Sequence, residues 1–494
     1  MKQILQDMAS GLTSIIEAPA PALADNSLKI ATSVSLISAG TERMLVGFGK
    51  ASYFNKARQQ PEKVKMVLDK IGTDGLSTTL SAVKSKLSTP MPLGYSNVGV
   101  IESMSKDITG FKVGDRVVSN GSHADMVVVK KNLCARIPDG VDDDSAAFTV
   151  VGSIGLQGVR LAQPTLGESF VVIGAGLIGL MTIQLLRANG CKVLAIDFDE
   201  EKLSLARQFG AETANPNSGE DPILRANSFS KGRGVDGVII TASSKSNDPV
   251  KNAAIMSRKR GRIVLVGVVG LSLDRADFYE KELSFQVSCS YGPGRYDPSY
   301  EVEGNDYPLG FVRWTEQRNF EAVLDLMAAG VIDVKSLISS RFDFINAADA
   351  YQELTENPSG LGILLDYTSP SSERDISSVE LDGHRKTSPL QPSLGIIGAG
   401  NYASRVLIPA FVKTDVNLHT LVTANGLNSV VHGKKMGFTA ASTDAASIYK
   451  NTEINTIVII TQHDSHASFV IQGLNAGKNV WVEKPLAIDS ASLD

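Results

Sequence analysis

Apolar and polar positions follow a recurring order along the chain, and two stretches show it most clearly. In the first, a β-branched run from Phe170 to Ile173 leads into Gly174-Ala-Gly176-Leu-Ile-Gly179 and then into a pattern typical of a helix. The helical pattern ends before Asn189-Gly190, and a second apolar run, Lys192 to Ile196, ends in Asp197. This order predicts a strand, a helix and a parallel strand, with a glycine-rich turn after the first strand.

The residues of this first stretch have the properties of a dinucleotide site. Gly174 allows a tight turn, Gly176 lets the backbone approach a pyrophosphate, and Gly179 lets the helix pack closely on the strand. The first helical residues, Leu177 and Ile178, offer free N–H groups to phosphate oxygens. Asp197, about 20 residues after the glycines, can accept hydrogen bonds from an adenosine ribose. Because no arginine follows in Phe198-Asp199-Glu200, we expect NAD here; the alternative is a glycine turn in an ordinary βαβ unit.

The second stretch has the same order close to the end of the sequence. Leu394 to Ile397 leads into Gly398-Ala-Gly400-Asn401-Tyr402-Ala403, then a helical pattern to Lys413 and an apolar run from Leu418 to Val422. No acidic residue follows in Thr423-Ala-Asn425, so the cofactor of this unit is either NAD or NADP. The expected cofactor contacts in its turn are Gly398, Gly400, Asn401 and Tyr402.

The rest of the chain gives weaker patterns. Residues 1–145 predict short strands between turns, at Lys29–Ser35, Val98–Met104, Arg116–Ser119 and Met126–Val129. A lysine-rich segment from Ala51 to Leu87 has helical spacing, and it is either a surface helix packed on its own domain or a lid or subunit contact. From Thr368 to Ser393 the composition shifts to Ser, Pro and charged residues, which predicts a linker.

Composition limits the classes of protein. At 494 residues the chain is long enough for two or three domains, and 43% hydrophobic with 20% charged residues is typical of globular proteins. A net charge of −5 gives no electrostatic reason to expect nucleic acid or an anionic membrane as a partner. The three cysteines form no CxxC pair, and the first residues lack the pattern of a secretory leader, so we expect a cytoplasmic protein.

One motif connects the first stretch to a known superfamily. Gly110-Phe-Lys-Val-Gly114-Asp-Arg-Val117, followed by the first glycine-rich unit, resembles the medium-chain dehydrogenase/reductase superfamily over residues 1–367. The resemblance implies an α/β fold with a chaperonin-10-like, β-rich catalytic domain (1–145 with 290–367). This domain is interrupted by an NAD-binding Rossmann domain (146–289), in which Gly267 contacts the cofactor.

The last hundred residues are similar to the N-terminal half of the Gfo/Idh/MocA oxidoreductases, in which a Glu-Lys-Pro stretch follows the fifth strand. The resemblance implies a linker (368–393) and a second Rossmann domain (394–494) with Glu483 and Lys484 near the nicotinamide. Lys484 would polarise a sugar hydroxyl or carbonyl, or it merely caps a strand end. His466 matches a cofactor-side loop and is expected to position rather than catalyse. Because this family continues into a further α/β domain, we expect the chain to be a fragment of a longer protein.

The resemblance also shows where zinc ligands would stand, and they are absent. The family's first ligand falls in Ser38-Ala-Gly-Thr41-Glu42, its Gly-His-Glu is Gly94-Tyr95-Ser96, and its third region, Ala146 to Gln157, has neither cysteine nor histidine. We therefore expect no metal. Tyr95 is then the first candidate for a catalytic hydrogen-bond donor, or a tyrosine packed in place of the metal.

Other candidates in the first unit are less specific. His123 is a second catalytic candidate, although a lone histidine is more often structural. Glu42 or Arg43 could anchor a polar substrate. The loop Tyr291-Gly-Pro-Gly-Arg-Tyr296 either closes on the nicotinamide or is simply well packed.

Together these features predict an NAD(P)-dependent oxidoreductase without catalytic zinc, which transfers hydride to or from a carbonyl, an alcohol or an activated C=C. The second unit suggests a small-molecule substrate derived from a sugar, in polysaccharide or carbohydrate metabolism, and Rossmann edge strands suggest a homo-oligomer. The alternative is a non-catalytic protein that binds a nicotinamide nucleotide for redox sensing or interaction.

Overall fold

The computed structural model describes residues 1–51, 56, 90–383 and 391–493. The predicted lysine-rich helical segment, Ala51 to Leu87, lies outside the described residues except for Ala51 and Lys56. Four sheets are formed by the described part of the chain.

The amino-terminal part consists mainly of short strands, as the alternating apolar positions predicted. Its elements in chain order are β1 (Lys2–Gln6), β2 (Thr13–Glu17), β3 (Ser27–Ser38), α1 (Ala39–Lys50), β4 (Met91–Pro92), β5 (Asn97–Met104), β6 (Arg116–Ser119), β7 (Met126–Lys130), β8 (Cys134–Arg136), α2 (Asp143–Ala146) and α3 (Thr149–Ala162). Strands β2, β1 and β4 form a small sheet, while β3 is the long central strand of a larger one.

The middle of the chain alternates strands and helices. Its elements are β9 (Ser169–Ile173), α4 (Leu177–Ala188), β10 (Lys192–Ile196), α5 (Glu200–Gln208), β11 (Glu212–Ala214), α6 (Pro222–Phe229), β12 (Val235–Ile240), α7 (Asp248–Met256), β13 (Ser257–Leu265), α8 (Arg275–Tyr279) and β14 (Ser284–Val287). All six strands are parallel, in the order β11-β10-β9-β12-β13-β14. This is the strand order of a Rossmann fold, whose ligands bind where the order reverses beside the first strand.

The chain then returns to the first part. The elements are α9 (Pro298–Glu301), α10 (Glu316–Ala328), β15 (Ile338–Asp343), α11 (Ala347–Glu356) and β16 (Gly362–Asp366). Strand β16 pairs with β3, so that β15-β16-β3-β5-β6-β8, with β7 beside β3, form one seven-stranded sheet. Segments before and after the Rossmann sheet therefore share one layer, and the exact domain bounds stay predictions.

The last part forms a second sheet of Rossmann type. Its elements are α12 (Ser371–Arg374), β17 (Ser378–Glu380), β18 (Ser393–Ile397), a π-helical turn (Ala403–Leu407), α13 (Ile408–Val412), β19 (Asn417–Val422), α14 (Leu427–Met436), β20 (Ala440–Ser442), α15 (Ala446–Lys450), β21 (Thr456–Ile459), α16 (His466–Asn475), β22 (Asn479–Val482) and α17 (Ser490–Leu493). The order is β17-β20-β19-β18-β21-β22, parallel except for β17.

Two local features differ from the prediction. The helix predicted to run to Lys413 opens with a π-helical turn and becomes α-helical at Ile408. Pro409 explains the irregularity, because it has no N–H to donate to the preceding turn. The stretch predicted as a linker contains α12 and β17, and Val379 and Leu381 pack against buried apolar residues.

A shared apolar core packs the parallel sheet that contains β9 against the amino-terminal part of the chain. Phe148, Phe170 and Phe320 are fully buried in one cluster, which joins the region of α3, strand β9 and helix α10. Within the described residues, no helix is long and apolar enough to span a bilayer.

Candidate active site and nucleotide sites

The first glycine turn has the geometry that the sequence predicted. Gly174 has a φ of +99°, and a Cβ added there would lie 2.7 Å from the backbone nitrogen of Ala242. A Cβ on Gly179 would lie 1.9 Å from the carbonyl oxygen of Gly174, so helix α4 can meet strand β9 only through glycine. Nothing lies within 4 Å of a Cβ on Gly176, which caps α4. Open space beside the free N–H groups of Leu177 and Ile178 is what a pyrophosphate needs.

Asp197 stands at the carboxyl end of β10, beside this turn. Its Oδ2 accepts a hydrogen bond from the Ala175 N–H at 2.6 Å, and its Oδ1 accepts one from the Asp199 N–H at 3.0 Å. These bonds hold the half-buried carboxylate at the switch point of the sheet. The nearby Lys202 is paired with Asp199 at 3.1 Å and helps to balance that acid. An acidic edge of this kind suits the hydroxyls of an NAD ribose better than a 2′-phosphate.

The far side of the cleft is formed by β12 and β13. The N–H groups of Val266 and Gly267 both donate to the carbonyl oxygen of Ile240 at 2.9 Å. A Cβ on Gly267 would lie 2.2 Å from the carbonyl oxygen of Ala242, so the two strand ends can approach only through a glycine. Gly267 therefore lies at the carboxyl edge of the sheet, where the resemblance placed it.

Tyr95 is half-buried between β4 and β5 and reaches the first turn of α1. Its hydroxyl donates to Oγ1 of Thr41 at 3.3 Å. Burial raises the pKa of the phenol, although hydrogen bonds with Ser38 and Thr41 act in the opposite direction. The side chain is thus a protonated hydroxyl at neutral pH. Thr41 was not chosen from the sequence as a functional residue, and its position inside the expected ligand stretch is the signal that could have identified it.

His123 lies in a buried polar network. Its Nε2 is 3.1 Å from Oε2 of Glu42, and its Nδ1 is 2.7 Å from the Ser35 hydroxyl. Tyr351 donates its hydroxyl to the same Glu42 carboxylate, and Ser35 contacts the hydroxyl of Tyr367 at 2.8 Å. The imidazole is fully buried and both of its nitrogens are engaged. The observed contacts of His123 are thus structural, and its catalytic role stays a prediction.

The neighbourhood of Tyr95 is connected to this network through Gly94. Gly94 has a φ of +91°, and a Cβ there would lie 2.6 Å from the imidazole of His123. The carboxylate of Glu42 also accepts the Ser38 N–H at 3.0 Å, at the start of α1. Glu42 and His123 therefore fix the two backbone segments that carry Thr41 and Tyr95.

The residues at the three expected ligand positions do not fit a zinc site. In the first stretch the Glu42 carboxylate is bound to His123, the second offers Tyr95, and the third, Ala146 to Gln157, has neither cysteine nor histidine. Within the part of the chain that the structure describes, no three His, Cys, Asp or Glu side chains form a cluster able to hold a metal ion. A catalytic zinc needs three protein ligands.

Two other sequence candidates have structural partners. Arg43 donates to the carbonyl oxygens of Leu354 and Asn357 at 2.8 Å, at the carboxyl end of α11, so it caps that helix. In the glycine-proline loop, Tyr291 is buried and its hydroxyl accepts from Asn120 at 3.3 Å, while Tyr296 is exposed. Tyr291 therefore joins the end of the Rossmann sheet to the catalytic part, as expected of a well-packed loop.

The second glycine turn repeats the first. Gly398 has a φ of +103°, and a Cβ there would lie 2.2 Å from the carbonyl oxygen of Ile460. A Cβ on Gly400 would meet nothing within 4 Å, and Ala403 is buried in the third small-residue position. Asn401 and Tyr402 follow the turn and are exposed, so they are free to contact a ligand.

The strand ends β21 and β22 complete this second cleft. The N–H of Glu483 donates to the carbonyl oxygen of Ile459 at 3.0 Å, and the side chain of Lys484 is exposed beyond it. Buried His466 contacts the carbonyl oxygens of Pro485 at 2.7 Å and Thr461 at 3.2 Å. It holds the Lys484-Pro485 turn against the sheet, which agrees with the positioning role predicted for it.

Three family models match the chain. Residues 65–158 match the alcohol dehydrogenase GroES-like domain, residues 178–302 match the zinc-binding dehydrogenases, and residues 393–494 match the oxidoreductase family with an NAD-binding Rossmann fold, Gfo/Idh/MocA.

Named relatives and solved structures resemble the first two thirds of the chain. A probable D-xylulose reductase A of Neosartorya fischeri is 26% identical over 54% of this chain and 77% of its own length. The 2-dehydro-3-deoxy-L-galactonate 5-dehydrogenase of Pseudoalteromonas atlantica is 22% identical over 62% and 92%. The crystal structure of galactitol-1-phosphate dehydrogenase from Escherichia coli superposes with a TM-score of 0.58 at 20% identity, over 74% of this chain and all of that one.

Proposed function

Since the chain joins an alcohol-dehydrogenase-like part to a Gfo/Idh/MocA-type Rossmann domain and is an NAD(P)-dependent oxidoreductase, we propose that its first part acts without zinc. It transfers hydride between NAD and a hydroxyl or carbonyl carbon of a sugar derivative. The observation that supports the proposal is the hydroxyl pair Tyr95–Thr41, which lies in the stretches where the family resemblance leads one to expect zinc ligands. The names of the relatives support a sugar-derived substrate, and a role in carbohydrate or polysaccharide metabolism follows from it.

Different residues of the chain bind the cofactor and stabilise the substrate oxygen. The glycine turn and Asp197 bind the cofactor, and the bound nicotinamide supplies or accepts the hydride. In the reducing direction, the hydride adds to the carbonyl carbon and the carbonyl oxygen gains negative charge. When the substrate binds, the Tyr95 hydroxyl turns its one proton from Thr41 toward that oxygen and donates a hydrogen bond to it, and the oxygen takes up a proton from water to become an alcohol. Thr41 orients the phenol and connects it to the first turn of α1.

The second part is proposed to bind a nicotinamide dinucleotide, NAD or NADP, along Gly398, Gly400, Asn401 and Tyr402. Its ring end is placed near Glu483 and Lys484. An exposed ammonium at Lys484 suits a substrate hydroxyl or carbonyl. We also propose that the chain forms a homo-oligomer and resides in the cytoplasm.

The test is a steady-state assay of the full chain with NADH and a panel of keto-sugars, aldehydes and enones, and with NAD and polyols. The variant Tyr95→Phe is expected to lose about 100-fold in kcat/KM, the lower range for a lost proton or hydrogen-bond donor. Its affinity for NADH should be unchanged in a fluorescence titration. Full activity in Tyr95→Phe contradicts the role of the phenol, whereas bound NADH with no turnover on any substrate favours a non-catalytic protein.

A further inference from the structure

A segment of the first part of the chain (residues 1–367) lies against the second Rossmann sheet, at the carboxyl ends of strands β19 and β20. The Ala22 N–H donates to the carbonyl oxygen of Ala424 at 2.8 Å, just after β19. Thr443 donates its hydroxyl to the carbonyl oxygen of Ala20 at 2.8 Å, and the Ala20 N–H donates to Ile376 at 2.7 Å. Two hydrogen bonds thus hold the backbone of residues 20–22 against the loops after β19 and β20, and a third holds it against the segment that precedes β17.

The fit of this contact is close at Gly426. This glycine has a φ of +67°, and a Cβ added there would lie 2.2 Å from the carbonyl oxygen of Pro19. The loop that follows β19 is therefore shaped around the first part of the chain.

A cavity of about 490 Å³ lies at this contact. Most of its wall comes from the first part, including Pro21, Ala22 and Met126, and the second part closes one side with Ala424, Asn425 and Leu427. Ligand pockets in proteins commonly have volumes of roughly 300–1,000 Å³ and mostly apolar walls. The cavity is thus large enough for a nucleoside.

Its position identifies the occupant. In an open parallel sheet, the adenosine ribose of a dinucleotide lies at the carboxyl end of the strand that follows the glycine turn and its helix. Here that strand is β19, and the cavity adjoins its end at Ala424 and Asn425. The N–H of Gly398, in the glycine turn, donates to the carbonyl oxygen of Val422 at 2.9 Å, so the turn and the end of β19 are adjacent.

We infer that this cavity receives the adenosine end of the dinucleotide held by the second part, and that residues 21–22 of the first part form one wall of that site. The inference rests on the proposed function of the second part. The cavity is lined by apolar side chains, among them Val127, Leu133 and Leu427, which suit the flat faces of an adenine. Lys130 also lines the cavity, but its ammonium donates to the carbonyl oxygen of Asp25 at 2.7 Å.

The experiment uses the full chain with the first site disabled by Gly176→Val and Asp197→Ala. In this parent, NADH binding by the second part is measured by fluorescence and calorimetry. Ala22→Phe keeps the N–H bond to Ala424 and fills the cavity, so it should weaken NADH binding at least about tenfold. Leu23→Phe is the matched control, because Leu23 is exposed and does not line the cavity. Ala24→Phe, at a second lining position, repeats the test if Ala22→Phe fails to fold.

The possible results separate the two claims. Weaker binding in Ala22→Phe with unchanged binding in Leu23→Phe supports the shared site. Equal NADH affinity in the parent, Ala22→Phe and Ala24→Phe overturns the shared site and leaves the second nucleotide site intact. A parent that binds no NADH or NADPH overturns the nucleotide site itself, and the shared site with it.

Discussion

The carboxylate of Glu42 connects side chains from three distant parts of the chain. It accepts from His123, 81 residues away, and from Tyr351, 309 residues away. No local pattern in a sequence can reveal such partners, which is why Glu42 and His123 were predicted as separate candidates. The glycine turn could be predicted, because the spacing of its residues within one βαβ unit is enough to define their arrangement. These residues are Gly174, Gly176, Gly179 and Asp197.

The proposal that the first part acts without zinc gives a prediction at this scale. Dialysis of the active protein against a strong chelator should leave its turnover unchanged, because the Tyr95 hydroxyl, and not a metal ion, is proposed to stabilise the substrate oxygen. Elemental analysis of the protein should find far less than one zinc per chain. Loss of activity on chelation, with recovery on added Zn²⁺, would show that the protein needs the metal.

Glu316 is a buried carboxyl at the start of α10, close to the carboxyl of Glu301. Burial raises its pKa to about 8, and the neighbouring Glu301 adds to the shift. Between about pH 4.5 and pH 8 the unfolded chain releases this proton while the folded chain keeps it, so stability falls as pH rises through that window. Once the pH has reached about 8, the free energy of unfolding has fallen by an amount on the order of a few kcal/mol.

The variant Glu316→Gln cannot ionise and should remove this pH dependence. We expect its free energy of unfolding to exceed that of the natural chain by a much larger margin at pH 8.5 than at pH 5.5, in denaturant titrations at both values. Glu303→Gln, at an exposed position, is the control and should follow the natural chain at each pH. Identical curves for Glu316→Gln and the natural chain would rule out a buried, protonated Glu316.

At the scale of elements, the two glycine turns could be predicted with their flanking strands. The bounds of β6 and β10 were predicted to the residue. The π-helical turn after Gly400 could not be predicted, since apolar spacing fits an α-helix and a π-helical turn almost equally well. The role of β17 was also missed, because a three-residue strand at a sheet edge has too few apolar positions to stand out in a polar stretch.

The glycine turn of the first site gives an element-scale prediction. Gly179→Ala should lower the melting temperature and abolish NADH binding at the first site, because its Cβ would lie 1.9 Å from a carbonyl oxygen of the same turn. Gly176→Ala should keep the melting temperature, since its Cβ meets no atom, and should still weaken NADH binding by narrowing the phosphate site. Thermal unfolding and fluorescence titration measure both. An unchanged melting temperature in Gly179→Ala would contradict the close packing of α4 on β9.

For the whole molecule, the important finding is that both parts share a surface. The sequence predicted two units joined by a linker, and nothing in the apolar pattern of Ala18-Pro-Ala-Pro-Ala-Leu-Ala24 indicated a partner. Apart from the Thr443 hydroxyl, the hydrogen bonds of this contact are made by backbone groups, which every residue carries, so residue types give little sign of it.

The contact also predicts how the chain unfolds. Gly426→Ala places a methyl group against the carbonyl oxygen of Pro19 and should separate the two parts, so that calorimetry shows two transitions in place of one. Gly437→Ala is the control: its φ is +82°, similar to that of Gly426, but its Cβ would meet no atom within 4 Å. Both variants have the same kind of backbone strain, and only the first disturbs the contact. Identical transitions in the two variants would contradict the shared surface.

The pairing of β17 with β20 has a practical consequence for anyone who wishes to study the carboxyl-terminal half alone. Strand Ser378–Glu380 precedes the second glycine motif in sequence yet lies at the outer edge of its sheet. A protein that begins at residue 393 would lack this edge strand. The backbone N–H and C=O groups of Ala440–Ser442 would then be unpaired and would pair with other molecules, which leads to precipitation. Expression should therefore begin upstream of Ser371, so that the sheet keeps its own edge.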